Sequence, residues 1–317
     1  MRKLFFLIAF LILSYLSLFT GVGSVSVIDI LHDAPQAKLL LFATRIPRTI
    51  SLLLSGGILS VSGLLMQNLV QNKFVAPDTM GTMDSARLGM LVVMLVFPSA
   101  PLLAKSSIAF VFALLGTLIF LSLVRFLPQE NKITIALIGV MFSNILGAVV
   151  NFFAYQFQVT QNISSWLQGN FALVMRGGYE LLYIAIPVFL LIYWFSKQFM
   201  LVSLGSDFAE SLGLNYERMR LIGIVLVAIS SALVLVLVGN IPFLGIIIPN
   251  LISLKYGDYM PNTLAITAGF GSLFLMFCDI LSRTVIAPYE IPVSVTVGII
   301  GSILFIWILF HETRSKN

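Results

Sequence analysis

The sequence predicts an all-α membrane protein of about ten transmembrane helices, arranged as one domain over residues 1–317. Two observations predict it. Only 10% of the 317 residues are charged and 59% are hydrophobic, too few charges to cover a water-soluble protein of this size. The charges also fall between long charge-free runs, the form taken by helices that satisfy their own backbone in lipid.

The runs cover residues 4–32, 49–72, 88–104, 106–124, 133–175, 181–196, 221–254, 259–278 and 291–310, each free of charge except the first, which carries Asp29 near its end. The first has the charge-then-apolar form of a signal peptide, with Gly21, Gly23 and Ser24 as a small-residue cleavage site. An uncleaved first helix fits better in a chain with many later spans. The run at 133–175 exceeds one crossing, and its polar second half (Gln156, Gln158, Gln161, Asn162, Gln168, Asn170) reads as an external loop with an amphipathic segment around Trp166. The run at 221–254 is broken by Gly239, Asn240 and Pro242, which divides it in two and brings nine runs to ten helices. Small residues (Gly56, Gly57, Gly63, Gly139, Gly147, Gly298, Gly301) mark close helix packing.

Basic residues set the orientation. With the N-terminus inside, the cytoplasmic ends hold eleven of them: Arg2, Lys3, Lys73, Arg125, Lys132, Lys197, Arg218, Arg220, Lys255, Arg314 and Lys316. The opposite side holds six, Lys38, Arg45, Arg48, Lys105, Arg176 and Arg283, and Arg87 lies near a boundary. Both termini are therefore expected in the cytoplasm. The net charge of +5 is scattered singly beside apolar runs, which points to a lipid membrane and away from nucleic acid. Cys278 is the single cysteine, and His32 and His311 stand far apart, so neither a disulfide framework nor a metal site is expected.

One polar interruption stands out, residues 201–220 within a loop at about 199–220. Leu204, Phe208 and Leu212 fall at four-residue spacing and share a helix face, with Asp207 and Glu210 beside them. Ser206 or Asp207 is expected to cap this helix and Gly213 to end it. Two readings stand for it: a loop helix folded over its own bundle, or a docking helix for a cytoplasmic partner.

Four stretches carry more information than composition. They are Arg45-Ile46-Pro47-Arg48; Met66-Gln67 with Asn72-Lys73-Phe74-Val75-Ala76-Pro77-Asp78-Thr79-Met80-Gly81; Leu204-Gly205 through Leu212-Gly213; and Gly239-Asn240-Ile241-Pro242-Phe243-Leu244-Gly245 with Ile248-Pro249-Asn250, Asp279, Arg283 and Glu290-Ile291-Pro292-Val293. In this order, from about Arg45 to the C-terminus, the chain resembles the membrane-spanning permeases of the iron–siderophore and cobalamin family of ABC importers. The family pattern has His and Arg where this chain has Asn250 and Ser253, a departure that favours a siderophore over cobalamin.

The resemblance implies a ten-helix permease of the bacterial cytoplasmic membrane, not an enzyme, that translocates a ferric siderophore. No phosphate-binding Gly-x-x-x-x-Gly-Lys-Ser/Thr loop occurs, so ATP and Mg belong to a separate ATPase and this chain binds no cofactor. Implied partners are a second permease subunit, identical or not, two ATPase subunits and an extracytoplasmic substrate-binding protein. Leu204, Gly205, Ser206, Asp207, Phe208, Ala209, Glu210, Leu212 and Gly213 match the coupling helix that enters the ATPase. Arg45, Arg48 and Arg283 match docking positions for acidic residues of the binding protein, although Arg283 also suits an ion pair with Asp279 one turn away. Asn72 and Phe74 match a gate, and the resemblance implies a pathway lined mainly by the fifth helix (Ser143, Asn144, Asn151), with the last helix as a further candidate. Haem or cobalamin import is the alternative substrate reading. A proton- or sodium-driven carrier would require carboxylates or His near mid-bilayer, and the cores of the runs supply none, Asp29 and His32 standing at the end of the first.

Overall fold

The computed structural model describes residues 2–21, 34–77, 81–125 and 132–315. His32, Gly23, Ser24 and Lys316, and residues 78–80 of the second motif, lie outside them.

Among the described residues the chain is helical, without a β-sheet. Its helices are α1 (Arg2–Phe19), α2 (Pro35–Val70), α3 (Thr82–Val96), α4 (Leu102–Arg125), α5 (Lys132–Gln156), α6 (Thr160–Leu167), α7 (Ala185–Trp194), α8 (Ser196–Val202), α9 (Ser206–Ser211), α10 (Tyr216–Val238), α11 (Leu244–Tyr256), α12 (Met260–Thr284) and α13 (Val293–Ser315). Six carry a segment long and apolar enough to cross a membrane: Pro35–Val70, Leu102–Phe120, Leu137–Gln156, Tyr216–Val238, Met260–Thr284 and Val293–Phe310. Segment Glu180–Trp194 and α8 pass the same test together, bent by 61°. Helix α3 and the apolar helices Phe6–Phe19 and Leu244–Tyr256 are shorter. This is a multi-pass membrane protein with fewer full-length spans than the runs suggest, because several runs fold into short or broken helices.

Helix α2 is the axis of the bundle. It packs on α10, α11 and α12, and α1 closes against α12 and α2. Small residues set these approaches. A Cβ on Gly56 would stand 2.6 Å from the Gly271 carbonyl oxygen, and one on Gly63 would stand 1.9 Å from that of Gly245. Without a hydrophobic driving force between helices in lipid, such close packing supplies much of the attraction. Helices α4, α5 and α13 form the periphery, with Leu118, Ile145, Phe152, Ile303 and Phe310 among their outward residues.

Two prolines inside the bundle each free a carbonyl, since proline has no N–H to give to the residue four positions earlier. Pro47 frees Ala43, where α2 widens into a π-turn (Leu41–Arg45), and the Arg176 N–H donates to that oxygen at 3.0 Å. Pro249 frees Gly245, whose carbonyl accepts from Gln67 Nε2 at 3.3 Å. Both repairs follow from the high cost of an unsatisfied carbonyl in the bilayer core. Gln67 reaches its target only because Gly63, one turn earlier, lets α11 approach. Gly63→Ala is therefore expected to push α11 away and lower thermal stability by about 1–3 kcal/mol, the ordinary cost of overpacking. An unchanged unfolding temperature in detergent would contradict this.

The break between α10 and α11 is where Gly239, Asn240 and Pro242 place it. Gly239 has φ +100° and Phe243 φ +64°. The unwound backbone is matched by residues 167–170: Asn240 N–H donates to the Leu167 carbonyl at 2.9 Å and Asn170 N–H to that of Val238 at 3.0 Å. The Gly169 carbonyl accepts from Ser294 at the start of α13. The segment around Trp166 is the short helix α6, which buries Ile163 and Leu167.

Candidate functional site

The polar interruption folds into α9 between two glycines. Gly205 (φ +107°) turns the chain into it, so neither Ser206 nor Asp207 caps the helix as expected, and Ser206 Oγ bonds Asp207 instead. Gly213 (φ +77°) ends it as expected, the Leu214 N–H reaching the Ala209 carbonyl at 3.1 Å and the Gly213 N–H that of Glu210 at 2.9 Å. Asn215 then caps α10 by accepting from the Arg218 N–H at 2.9 Å. Ala209 is fully buried and anchors the short helix to the bundle. On its other side Leu204, Phe208 and Leu212 are 53%, 50% and 58% exposed. A helix folded down over its own bundle would bury that ridge; this one turns it outward, with Asp207 and Glu210 also exposed.

Asn72 and Phe74 lie in the turn after α2. Asn72 Oδ1 accepts from the Phe74 N–H at 3.0 Å, a local turn that leaves Phe74 partly exposed and edge-on to Phe305 of α13, with ring centroids 6.0 Å apart. The residue between them makes the longer tie. Lys73 carbonyl accepts from Asn250 Nδ2 at 2.8 Å, and Lys73 Nζ donates to Ser253 Oγ at 3.0 Å and to Asp258 at 3.1 Å. Thus Asn250 and Ser253, the two departures from the family pattern, both grip the expected gate turn. Burial pushes the Asp258 carboxyl up, but hydrogen bonds from Ser253 and Lys73 and the Lys73 charge hold it below its ordinary value. The pair is therefore present above the usual carboxylate range and lost as pH falls through the lowered value. A cavity of about 240 Å³ opens beside this turn and reaches Met200 and Ser203 of the α8 end, next to α9.

The exposed Lys73–Asp258 pair contributes little, about 1 kcal/mol or less. The buried Asn250 bond is the stronger tie. Asn250→Ala is expected to speed amide exchange at Phe74 and Val75 about fivefold, the equivalent of about 1 kcal/mol for one hydrogen bond. Exchange at the wild-type rate would show that the turn is held otherwise.

Arg45, Arg48 and Arg283 come together, but beneath the surface: each is under a tenth exposed. Arg48 donates to Asp279 through Nε at 3.1 Å and through its terminal NH2 at 2.7 Å, and to Glu290 at 2.7 Å. Arg283 pairs with the same, fully buried Asp279, its expected neighbour on α12, and donates to the Ser17 and Thr20 carbonyls at 2.9 Å each. Arg45 also donates to the Thr20 carbonyl. These carbonyls close α1, whose last turn lacks intrahelical donors and carries partial negative charge. Among the described residues, these arginines and carboxylates join α1, α2 and α12.

The span boundaries concealed another pair. Helix α3 begins at Thr82, six residues before the charge-free run, so Asp84 and Arg87 lie inside it and bond at 3.3 Å. Like the buried Asp279, these two charges lie just outside a charge-free run yet on the helix that contains it, so the helices extend beyond the runs. All three carboxylates, Asp84, Asp279 and Glu290, are paired with arginine, which does not favour a proton carrier. Cys278 is buried.

Residues 8–311 match the FecCD transport family. The chain belongs to that family. The petrobactin import system permease protein YclN of Bacillus subtilis is 44% identical over 312 residues, with 98% of each chain covered. The ferric-anguibactin transport system permease protein FatD of Vibrio anguillarum is 37% identical, with the same 98% coverage of each. A solved metal-chelate type ABC transporter in an inward-facing conformation superposes with a TM-score of 0.86 at 25% identity, covering 98% of this chain and 99% of that one. FecCD membership agrees with the resemblance carried by the four motifs.

Proposed function

We propose that this FecCD chain is the permease subunit of an ATP-driven importer that carries a ferric siderophore across the bacterial cytoplasmic membrane. The observation that carries it is the outward apolar ridge Leu204–Phe208–Leu212 on a short helix pinned by Ala209. Such a ridge on an otherwise polar surface calls for a partner, and here that partner is a separate ATPase. Its motion passes through the α8 end to the turn of Asn72 and Phe74, which serves as the gate. The naming of similar permeases for petrobactin and ferric-anguibactin supports a siderophore over haem or cobalamin.

In this reading the single domain crosses the membrane ten times: the six long helices, the bent pair, α1, α3 and α11. Both termini lie in the cytoplasm. Two permease subunits, identical or paired with a second chain, enclose the path. A substrate-binding protein docks outside, on the face that Arg45, Arg48, Arg283 and their carboxylates hold in shape. ATP and Mg are used by the ATPase, and no cofactor sits on this chain.

The test is transport by the reconstituted importer in vesicles. Uptake of iron-loaded petrobactin should need ATP on the ATPase side and the binding protein on the other, and should persist when an uncoupler collapses the proton gradient. Uptake by the permease alone on a pH gradient would refute the reading.

A further inference from the structure

The Asp84–Arg87 pair lies deep in the bundle yet is not fully enclosed. A Cβ on Gly147 would stand 3.6 Å from Asp84 Oδ1, which places the carboxylate beside the middle of α5. Gly147 lies roughly 22 Å from the start of α5 and roughly 14 Å from its end, at 1.5 Å per residue. The side chains of Asp84 and Arg87 keep 18% and 28% of their surface. Arg87 Nε is buried and has no hydrogen-bond partner. The opposite side of α3, through Ala86, Met90 and Val93, is packed into the core.

The neighbouring face of α5 is polar. Ser143, Asn144 and Asn151 each stand three or four residues from Gly147 and so share its stripe, on which Asn144 and Asn151 are exposed. A charged pair and two amides turned toward hydrocarbon at this depth would cost several kcal/mol. They make sense as the wall of a polar path.

We propose that Arg87 is a substrate-contact residue of this path, taking over an anionic oxygen of the passing ferric chelate from Asp84. A ferric chelate that holds its iron through anionic oxygens presents negative charge at its surface, and a guanidinium meets such oxygens in a two-pronged, charge-assisted bond. Asp84 keeps Arg87 neutralised and aimed while the path is empty, and competes for it afterwards, so the chelate is not held too tightly to leave. The proposal rests on the permease reading above.

The experiment measures initial uptake of iron-loaded petrobactin by the complete importer, normalised to permease in the membrane. Arg87→Gln should lose about tenfold or more, the ordinary worth of one charge-assisted hydrogen bond. Arg87→Lys should recover part of the loss. The double variant Asp84→Asn/Arg87→Gln, which leaves no unpaired charge to disturb insertion, should stay as low as Arg87→Gln. Wild-type uptake by the double variant would overturn the proposal, because charge balance alone would then have mattered. So would wild-type uptake by Arg87→Gln. Failure of the wild-type importer with iron-loaded petrobactin and with ferric-anguibactin alike would instead count against the siderophore-permease reading.

Discussion

Phe208→Asp is expected to abolish uptake while leaving the permease inserted at wild-type yield. Phe208 is half exposed on the free chain, so the change costs the fold little, within about 0.5 kcal/mol for an ordinary surface position. The penalty falls at the proposed interface. There the ring is expected to enter an apolar groove of the ATPase, flanked by Leu204 and Leu212, and a buried, unpaired carboxylate costs several kcal/mol. About 4 kcal/mol would weaken the complex roughly a thousandfold. Leu204→Ser and Leu212→Ser should each weaken it less, since they remove apolar area without burying a charge. The measurement is copurification of the ATPase with tagged permease, alongside uptake. Wild-type recovery of the ATPase with the Phe208→Asp protein would remove the coupling role from α9.

Periodicity and punctuation made much of this molecule legible in the sequence. The four-residue spacing of Leu204, Phe208 and Leu212 gave the ridge, and Gly213 its end, because those signals are local. Gly239, Asn240 and Pro242 gave the break before α11 for the same reason. What escaped was set by depth and by distant partners. The charge-free criterion started a span at Leu88, whereas α3 starts at Thr82, because Asp84 and Arg87 neutralise each other and tolerate burial. The role of Lys73 was hidden because its partners lie about 180 residues away on α11 and just beyond it. Arg45 and Arg48 read as outward-facing because nothing local showed that Asp279 and Glu290 would meet Arg48 across the bundle. Only the Asp279–Arg283 spacing, one helical turn, gave warning.

That cluster carries the second large effect. Asp279→Ala is expected to destabilise the folded permease by about 3–5 kcal/mol, the usual result of removing one partner from a buried ion pair. Asp279 is fully buried and shared, so its loss strips Arg283 of its carboxylate and leaves Arg48 with Glu290 alone. Asp279→Asn, which keeps an acceptor oxygen, should cost less. The triple change Arg48→Met/Asp279→Leu/Arg283→Met should cost less than Asp279→Ala, because the fully buried carboxylate and both of its arginines leave together, although the partly exposed Glu290 loses Arg48 and the Ser17 and Thr20 carbonyls lose a donor. Arg48→Glu belongs with the severe cases, since it sets a third carboxylate beside Asp279 and Glu290. Any loss of binding-protein docking in that variant must therefore be read against the amount of folded permease. Thermal unfolding in detergent orders the series: Asp279→Ala and Arg48→Glu lowest, Asp279→Asn between, wild type highest. A wild-type unfolding temperature for Asp279→Ala would show that the cluster does not hold α1, α2 and α12 together, and would free its arginines for a purely external role.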